Sequence, residues 1–332
     1  MRRIRVRAFC ASVVALLVIP VAVTAAPLEE AALTTPPVIC PDTAVVDARD
    51  LPRYVPASQC DLSGRVIVDG AVRLIVPPAG QAVMGEAMLN DGDTELFELR
   101  TAPDGAVILR YVGDERAHGA STAGGGGGSS GACHDEEYSV TGYRDTGDHV
   151  WHYRAATTPR GLSIGAVAQD LVNGFNAVTA SMNDCGLSDD VDATQQYGGN
   201  TDSGSGIDHQ GTCPAAGDQR YVADFGNLPA SMLARTCWRG VRTADGWWEI
   251  TEADTKIRSA AALFTGTVPP SCSGSRFSIA AIMAHEVGHA FGMGHVDEKD
   301  HGDLTMSQVT PACSTAPYSL GLGDVRGLGL LY

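Results

Sequence analysis

Positive charge is scarce in this chain: 23 Lys and Arg stand against 39 Asp and Glu in 332 residues, a formal charge of −16. That excess of acid repels phosphate backbones and anionic headgroups, which argues against nucleic acid as a partner. Nine cysteines are present but no Cys-x-x-Cys pair, so a cysteine zinc site or a thioredoxin-like redox site lacks its spacing. There is no internal repeat. Hydrophobic residues make up 44%, enough to build a core in one large domain or two ordinary ones.

The one long apolar run, AFCASVVALLVIPVAV, follows the basic MRRIRVR and precedes the small residues of TAAP. This order predicts a secretory signal peptide over residues 1–25, cleaved near Val23 to Ala25. The run is short for a membrane span and contains Pro20, so stable membrane association after cleavage is not expected. Arg2 and Arg3 are too little to assign a twin-arginine route. Cleavage would remove four arginines and no acid, moving the formal charge from −16 to −20. Cys10 would leave with the signal. The others are Cys40, Cys60, Cys133, Cys185, Cys213, Cys237, Cys272 and Cys313, an even set that predicts as many as four disulfides in an exported chain. Spacing does not give their connectivity; Cys40 with Cys60 is one near-neighbour pairing.

The glycine-rich AGGGGGSSG marks a linker over residues 123–132, because consecutive glycines lose too much backbone entropy to sit in a helix or strand. Before it, residues 26–122 read as a small β-rich propeptide or accessory module without a catalytic constellation. GRVIVDGAVRLIV turns at Asp69-Gly70 and LFELRTAPDGAVILRYV turns at Asp104-Gly105, each a predicted β-hairpin. After the linker, residues 133–332 predict an α+β domain. Ile164, Val167, Ala168, Leu171, Val172, Phe175 and Val178 recur at a helical period. QRYVADFG and GWWEITEADTKI read as strands, SRFSIAAIMAHEVGHAFG as a second helix with an apolar face, and the C-terminus as a short final helix.

HEVGHAFGMGH, residues 285 to 295, carries the chemistry. Residues four apart on a helix lie about 40° from eclipsed, so His285 and His289 project from one face and can meet one ion. Glu286 stands about 100° round from His285, beside the ion, where a base acting on metal-bound water belongs. Gly292 permits a sharp turn that returns His295 as third ligand, leaving a fourth position open for water. A bare H-E-x-x-H arises by chance in on the order of one in a hundred such chains. Gly292 and His295 together lower that well below about one in a thousand. A structural zinc is the bland alternative, but such sites are usually closed by a fourth protein ligand.

The pattern H-E-x-x-H-x-x-G-x-x-H resembles the zinc signature of the metzincins, and Met306 in LTMSQV stands where their Met-turn places a hydrophobic floor under the metal. Within that group the chain most resembles the matrixins, the matrix-metalloprotease-like proteins. LGLGDVRGLGLLY is similar to their last helix, with Asp324, Gly327, Leu331 and Tyr332 at matching places. EADTKI resembles the strand before the active-site helix, and RGLSIGAVAQDLVNGF the first helix. The resemblance covers about residues 150–332. It implies a twisted sheet, a long first helix, an active-site helix, a Met-turn and a C-terminal helix. It also implies a single catalytic Zn2+ on His285, His289 and His295, with Glu286 as the catalytic base. By the same likeness, Pro317-Tyr318 would wall a substrate pocket.

Departures limit the likeness. No tyrosine stands two positions after Met306, and the acidic, glycine-rich calcium loops of animal matrixins are not apparent. Ca2+ therefore has no support; SDDVD and VDEKDHGD read as solvated surface. PPVICPD only loosely resembles a cysteine switch, and the even cysteine count favours Cys40 in a disulfide. His118, His134, His149, His152, His209 and His301 lack ligand spacing and read as surface or hydrogen-bonded residues. Of Trp247 and Trp248, one is expected in the core and the other exposed or at the cleft. The expectation is a secreted, monomeric zinc endopeptidase acting on protein or peptide substrates. Two alternatives stay open: a binding or adhesion protein with a degenerate protease domain, and a zinc hydrolase of cell-wall amides.

Overall fold

The computed structural model describes residues 39–90, 94–111, 131–188 and 191–332. The expected signal peptide, His118 and nearly all of the glycine-rich linker lie outside the described residues. Before the linker come β1 (Val45–Asp47), β2 (Tyr54–Val55), β3 (Val66–Asp69), β4 (Val72–Ile75), β5 (Gln81–Leu89), β6 (Thr94–Thr101) and β7 (Val107–Tyr111). After it come β8 (Ser139–Val140), β9 (Tyr143–Arg144), β10 (His149–Tyr153), α1 (Ile164–Thr179), β11 (Gln195–Asn200), β12 (Thr212–Cys213) and β13 (Tyr221–Gly226). The chain continues through β14 (Met232–Arg242), β15 (Trp248–Arg258), β16 (Ala262–Phe264), β17 (Arg276–Ser278), α2 (Ile279–Ala290), β18 (Met293–Gly294), α3 (Glu298–His301) and α4 (Leu322–Leu331). The class is α+β, as the sequence predicts.

Both predicted hairpins form. β3 pairs antiparallel with β4 across Asp69-Gly70, and β6 with β7 across the turn containing Gly105. Outside them, the order of the central sheet is β11-β10-β13-β15-β14-β5-β6-β7-β2, with β9 paired to β15 beside this path. β11, β10, β13 and β15 run parallel, and every later neighbour pair from β15–β14 onward is antiparallel.

Strands from both sides of the expected linker thus share one sheet, joined where β5 pairs with β14 from Gln81↔Val241 to Leu89↔Met232. The sequence of β5, QAVMGEAML, is apolar on both faces because both faces are covered. Ala82, Met84 and Met88 belong to the larger core with Trp151, Phe225 and Ile282; Val83 and Ala87 belong to the smaller one with Val46, Ile67 and Phe97. A second sheet, β1-β3-β4-β12, lies over that smaller core and again combines strands from both sides of the glycine run.

α1 is capped by Ser163, whose hydroxyl accepts from the Ala166 amide at 3.1 Å. Val167, Leu171, Phe175 and Val178 are buried as the periodicity requires, while Ile164, at the first helical position, stays 51% exposed. Ser278 caps α2 in the same way through Ala281. The expected apolar face of α2 is a correction: every one of its residues is buried, since α1 and the sheet enclose it. Trp248 is the core tryptophan, stacked on Tyr143, and Trp247 lies half-buried beneath the Arg144 guanidinium.

Four disulfides form: Cys40–Cys60, Cys133–Cys185, Cys213–Cys237 and Cys272–Cys313. They fit an oxidising environment. Among the described residues, no helix is long and apolar enough to cross a membrane.

The α1–α2 contact gives a direct test. A β-carbon at Gly174 would stand 2.6 Å from Met283 Cβ and 2.9 Å from the Ala284 backbone nitrogen. Alanine normally favours a helix over glycine by about 1 kcal/mol, but backbone cannot yield as a side chain does, and overpacking costs about 1–3 kcal/mol. Gly174→Ala should therefore lower stability in denaturant unfolding; a gain would show that the helices are not in close contact.

Candidate metal centre

α2 ends at Ala290, and Gly292 follows in the left-handed region at φ +91°. A side chain there meets two obstacles: the backbone angle, which L residues avoid, and the Tyr143 carbonyl oxygen, into which a β-carbon would run. The turn leads into β18, which pairs with β8, and returns His295 towards the helix.

The three expected ligands converge. His285 and His289 Nε2 lie 3.1 Å apart, His289 and His295 2.9 Å, and His285 and His295 3.2 Å. A single ion at about 2.0–2.1 Å can touch three nitrogens so spaced. Two of the tautomers are set from behind. His285 Nδ1 donates to the Thr305 carbonyl at 2.8 Å and His289 Nδ1 to the Met293 carbonyl at 3.0 Å, leaving each Nε2 with its lone pair facing the others. Burial holds His285 down at about 4 and His289 and His295 well below the usual histidine value. Three neutral imidazoles converging on one point could hold a metal ion.

Glu286 is wholly buried, and burial pushes it up to about 7, against the lowering influence of Thr236, Glu86 and Arg235. Met306 is also buried, with its sulfur beside Gly288, in the turn of α2 between the two helical histidines. Trp238 on β14 stacks on the His289 ring, centroids 5.6 Å apart and planes within 5°.

The fourth member of the group is a correction to the sequence reading. Glu86, from the part expected to hold no functional constellation, lies with His285, His289 and His295 so that one ligand atom from each falls within 4.8 Å of the rest. Its Oε1 is 4.0 Å from His295 Nε2. Burial, and after it the charge of Glu286, raises Glu86 well above the ordinary carboxylate range. Among the described residues the carboxylate oxygens of Glu86 and Glu286 make no well-formed hydrogen bond, although the two carboxyls face each other and Thr236 lies against Glu286. Orphaned buried oxygens facing three imidazole nitrogens fit a cation. One signal was present in the sequence: Glu86 is the only charged residue in β5, within a run that is otherwise apolar but for Gln81.

Asp324 has a structural part that sequence alone did not define. Its carboxylate accepts from the Thr305 amide at 2.9 Å, Met306 at 3.2 Å and Gly321 at 2.8 Å. It therefore fixes both the carbonyl-bearing residue behind His285 and the Met306 turn, although burial raises it to about 6. Among the described residues, the remaining histidines, His152 included, take no part. His149 is buried and bonded to Asp145, His301 pairs with Asp135, and His134 and His209 are exposed. Tyr318 lines a different cavity of about 300 Å³, with Asp170, Asn173 and Val268, that includes none of the three ligands. Cys40 is in a disulfide and cannot supply a thiolate.

No known family model matches the chain, and no curated protein sequence matches it significantly.

Replacing Asp324 by Asn puts a donor where amides need an acceptor. Because it acts through Thr305 on His285, Asp324→Asn should weaken metal binding about 10–100-fold, read by competition with a chromogenic chelator. An unchanged affinity would separate the clamp from the metal group.

Proposed function

We propose that the chain is a secreted zinc endopeptidase of the metzincin type, matrixin-like in character, acting on protein or peptide substrates. The observation that carries this reading is the convergence of three neutral Nε2 atoms beside a buried glutamate that is not itself part of the ligand group. All-nitrogen histidine donors suit Zn2+. The four disulfides are consistent with export.

When bound, zinc would supply Lewis-acid polarisation of the scissile carbonyl and an acidified water. The chain's own residues do the rest. Glu286, buried beside the ligand group, takes a proton from the attacking water and returns it to the leaving amine. His285 and His289 are held in the ligating tautomer by Thr305 and Met293. Trp238 and Met306 fix the ring of His289 and the floor of the site and exclude water from both.

One observation favours a second reading. Glu86 offers a fourth protein ligand, and sites closed by four protein ligands are usually structural. On that reading the chain would hold its ion without turnover and serve as a binding protein.

The test is cleavage of a mixed peptide library by the zinc-loaded full chain, before and after limited proteolysis. Chelator should abolish cleavage and added zinc restore it. Glu286→Ala should keep the metal and lose about 10²–10⁴-fold in rate, whereas His289→Ala should lose the metal. Near-normal turnover by Glu286→Ala would overturn the mechanism. Bound zinc with no cleavage under either condition would favour the binding protein, or an amide substrate that is not a peptide.

A further inference from the structure

We propose that β5 is a resident inhibitor of the site: it lies along β14 where an extended substrate would lie, and places Glu86 as the ligand that closes the metal group. The inference rests on the zinc-peptidase reading and adds to it a latent resting state for the full chain.

Four observations lead here. First, the site is covered. His285, Glu286 and His289 are 1%, 0% and 0% exposed and the His295 side chain 9%, whereas a peptidase must admit a polypeptide. Second, the cover is a strand in a definite register. Thr236 and Trp238 of β14 lie beside Glu286 and His289, and opposite them on β5 stand Glu86 and Met84. Without β5, the outer edge of β14 would present a row of unpaired amides and carbonyls beside the metal group, the surface to which an extended peptide adds as a new strand. β5 occupies that edge over the whole length of β14 from Met232 to Val241.

Third, Glu86 is chemically out of place as a core residue. Its strand neighbours on the same face, Met84 and Met88, are apolar and buried. Its own oxygens make no well-formed hydrogen bond among the described residues; they face the Glu286 carboxyl and the histidine nitrogens, with Oε1 4.0 Å from His295 Nε2. The backbone at Glu86 is held from β14, since Arg235 Nη1 donates to its carbonyl at 2.9 Å. The carboxylate is thus delivered to the metal group by strand pairing and a buried guanidinium together.

Fourth, the cover is not tied down covalently. Cys40–Cys60 lies before the glycine run, and the other three disulfides lie after it. No disulfide joins β5 to the part that bears the histidines. The only covalent connection is the chain between Tyr111 and Gly131.

The coordination itself provides the test. Full-length wild type, Glu86→Ala and Glu86→Gln would be loaded with Co2+ and titrated with acetohydroxamate, a small metal-binding ligand, while the visible absorption bands are followed. With Glu86 in the ligand set, the wild-type spectrum should resist acetohydroxamate at concentrations at least tenfold above those that saturate Glu86→Ala. Glu86→Gln keeps the shape of the side chain and should behave like Glu86→Ala; this guards against a folding defect in either variant. A wild-type midpoint within twofold of both variants would overturn the proposal, as would a wild-type spectrum unchanged by both substitutions. Peptide turnover by the zinc forms separates this inference from the reading beneath it. Peptide turnover by the intact wild type equal to that of the same protein cleaved between Tyr111 and Gly131 would overturn latency. A Glu86→Ala protein that binds acetohydroxamate yet cleaves no peptide even after proteolysis between Tyr111 and Gly131 has let β5 leave β14 would overturn the peptidase reading and leave Glu86 as a ligand.

Discussion

Three imidazole nitrogens held 2.9–3.2 Å apart, those of His285 and His289 with their lone pairs turned inward, form the constraint around which this molecule is arranged. Neutral acceptors at that distance repel, and burial prevents water from relieving them. The surrounding parts keep the rings in place against that repulsion. α2 sets His285 and His289 one turn apart, the turn at Gly292 carries the chain back to His295, and the carbonyls of Thr305 and Met293 fix which nitrogen bears the proton. Asp324 then anchors Thr305 by its amide. The C-terminal helix and the metal group are therefore one mechanical unit, although 29 residues separate His295 from Asp324.

The local half of this arrangement was legible in the sequence. Ligand spacing at i, i+4 is a property of any helix, and the need for glycine at 292 follows from one backbone angle. Both hairpins were legible because Asp-Gly turns between alternating segments encode them locally. What stayed hidden depends on distant pairing. The register that brings Glu86 opposite Thr236 joins residues 150 apart, and no local pattern specifies it. The glycine run suggested a boundary between two bodies, yet the sheet continues across it. The amphipathic reading of α2 missed for a related reason: its polar residues are ligands and a base, buried because their partners lie on other elements.

The electrostatics of the site explain why Glu86 and Arg235 occur together. Two carboxylates, Glu86 and Glu286, are buried with one guanidinium, so the pair cannot both ionise against Arg235 alone without leaving a net buried negative charge. Both carboxylates are shifted towards keeping a proton, and burial lowers Arg235 to about 10. Arg235 directs its donors to the backbone, at the Glu86 and Ala71 carbonyls, and acts on the carboxylates through space. A divalent cation among the histidines would reverse the balance, favouring ionised carboxylates.

That reversal couples the cover to the ion. With a cation present, Glu86 gains an attraction to the group it faces, and β5 is held on β14 by electrostatics as well as by strand pairing and packing. The smaller core works in the same direction, since Ile207, Leu228 and Met232 from beyond the glycine run are buried against Val46, Ile67 and Phe97 from before it. Displacing β5 therefore requires three changes at once: an edge strand unpaired, an apolar surface exposed, and a ligand withdrawn from its ion. A covering strand held this way cannot leave without losing its pairing and its packing together. It nonetheless remains removable, because everything holding it except the chain between Tyr111 and Gly131 is noncovalent.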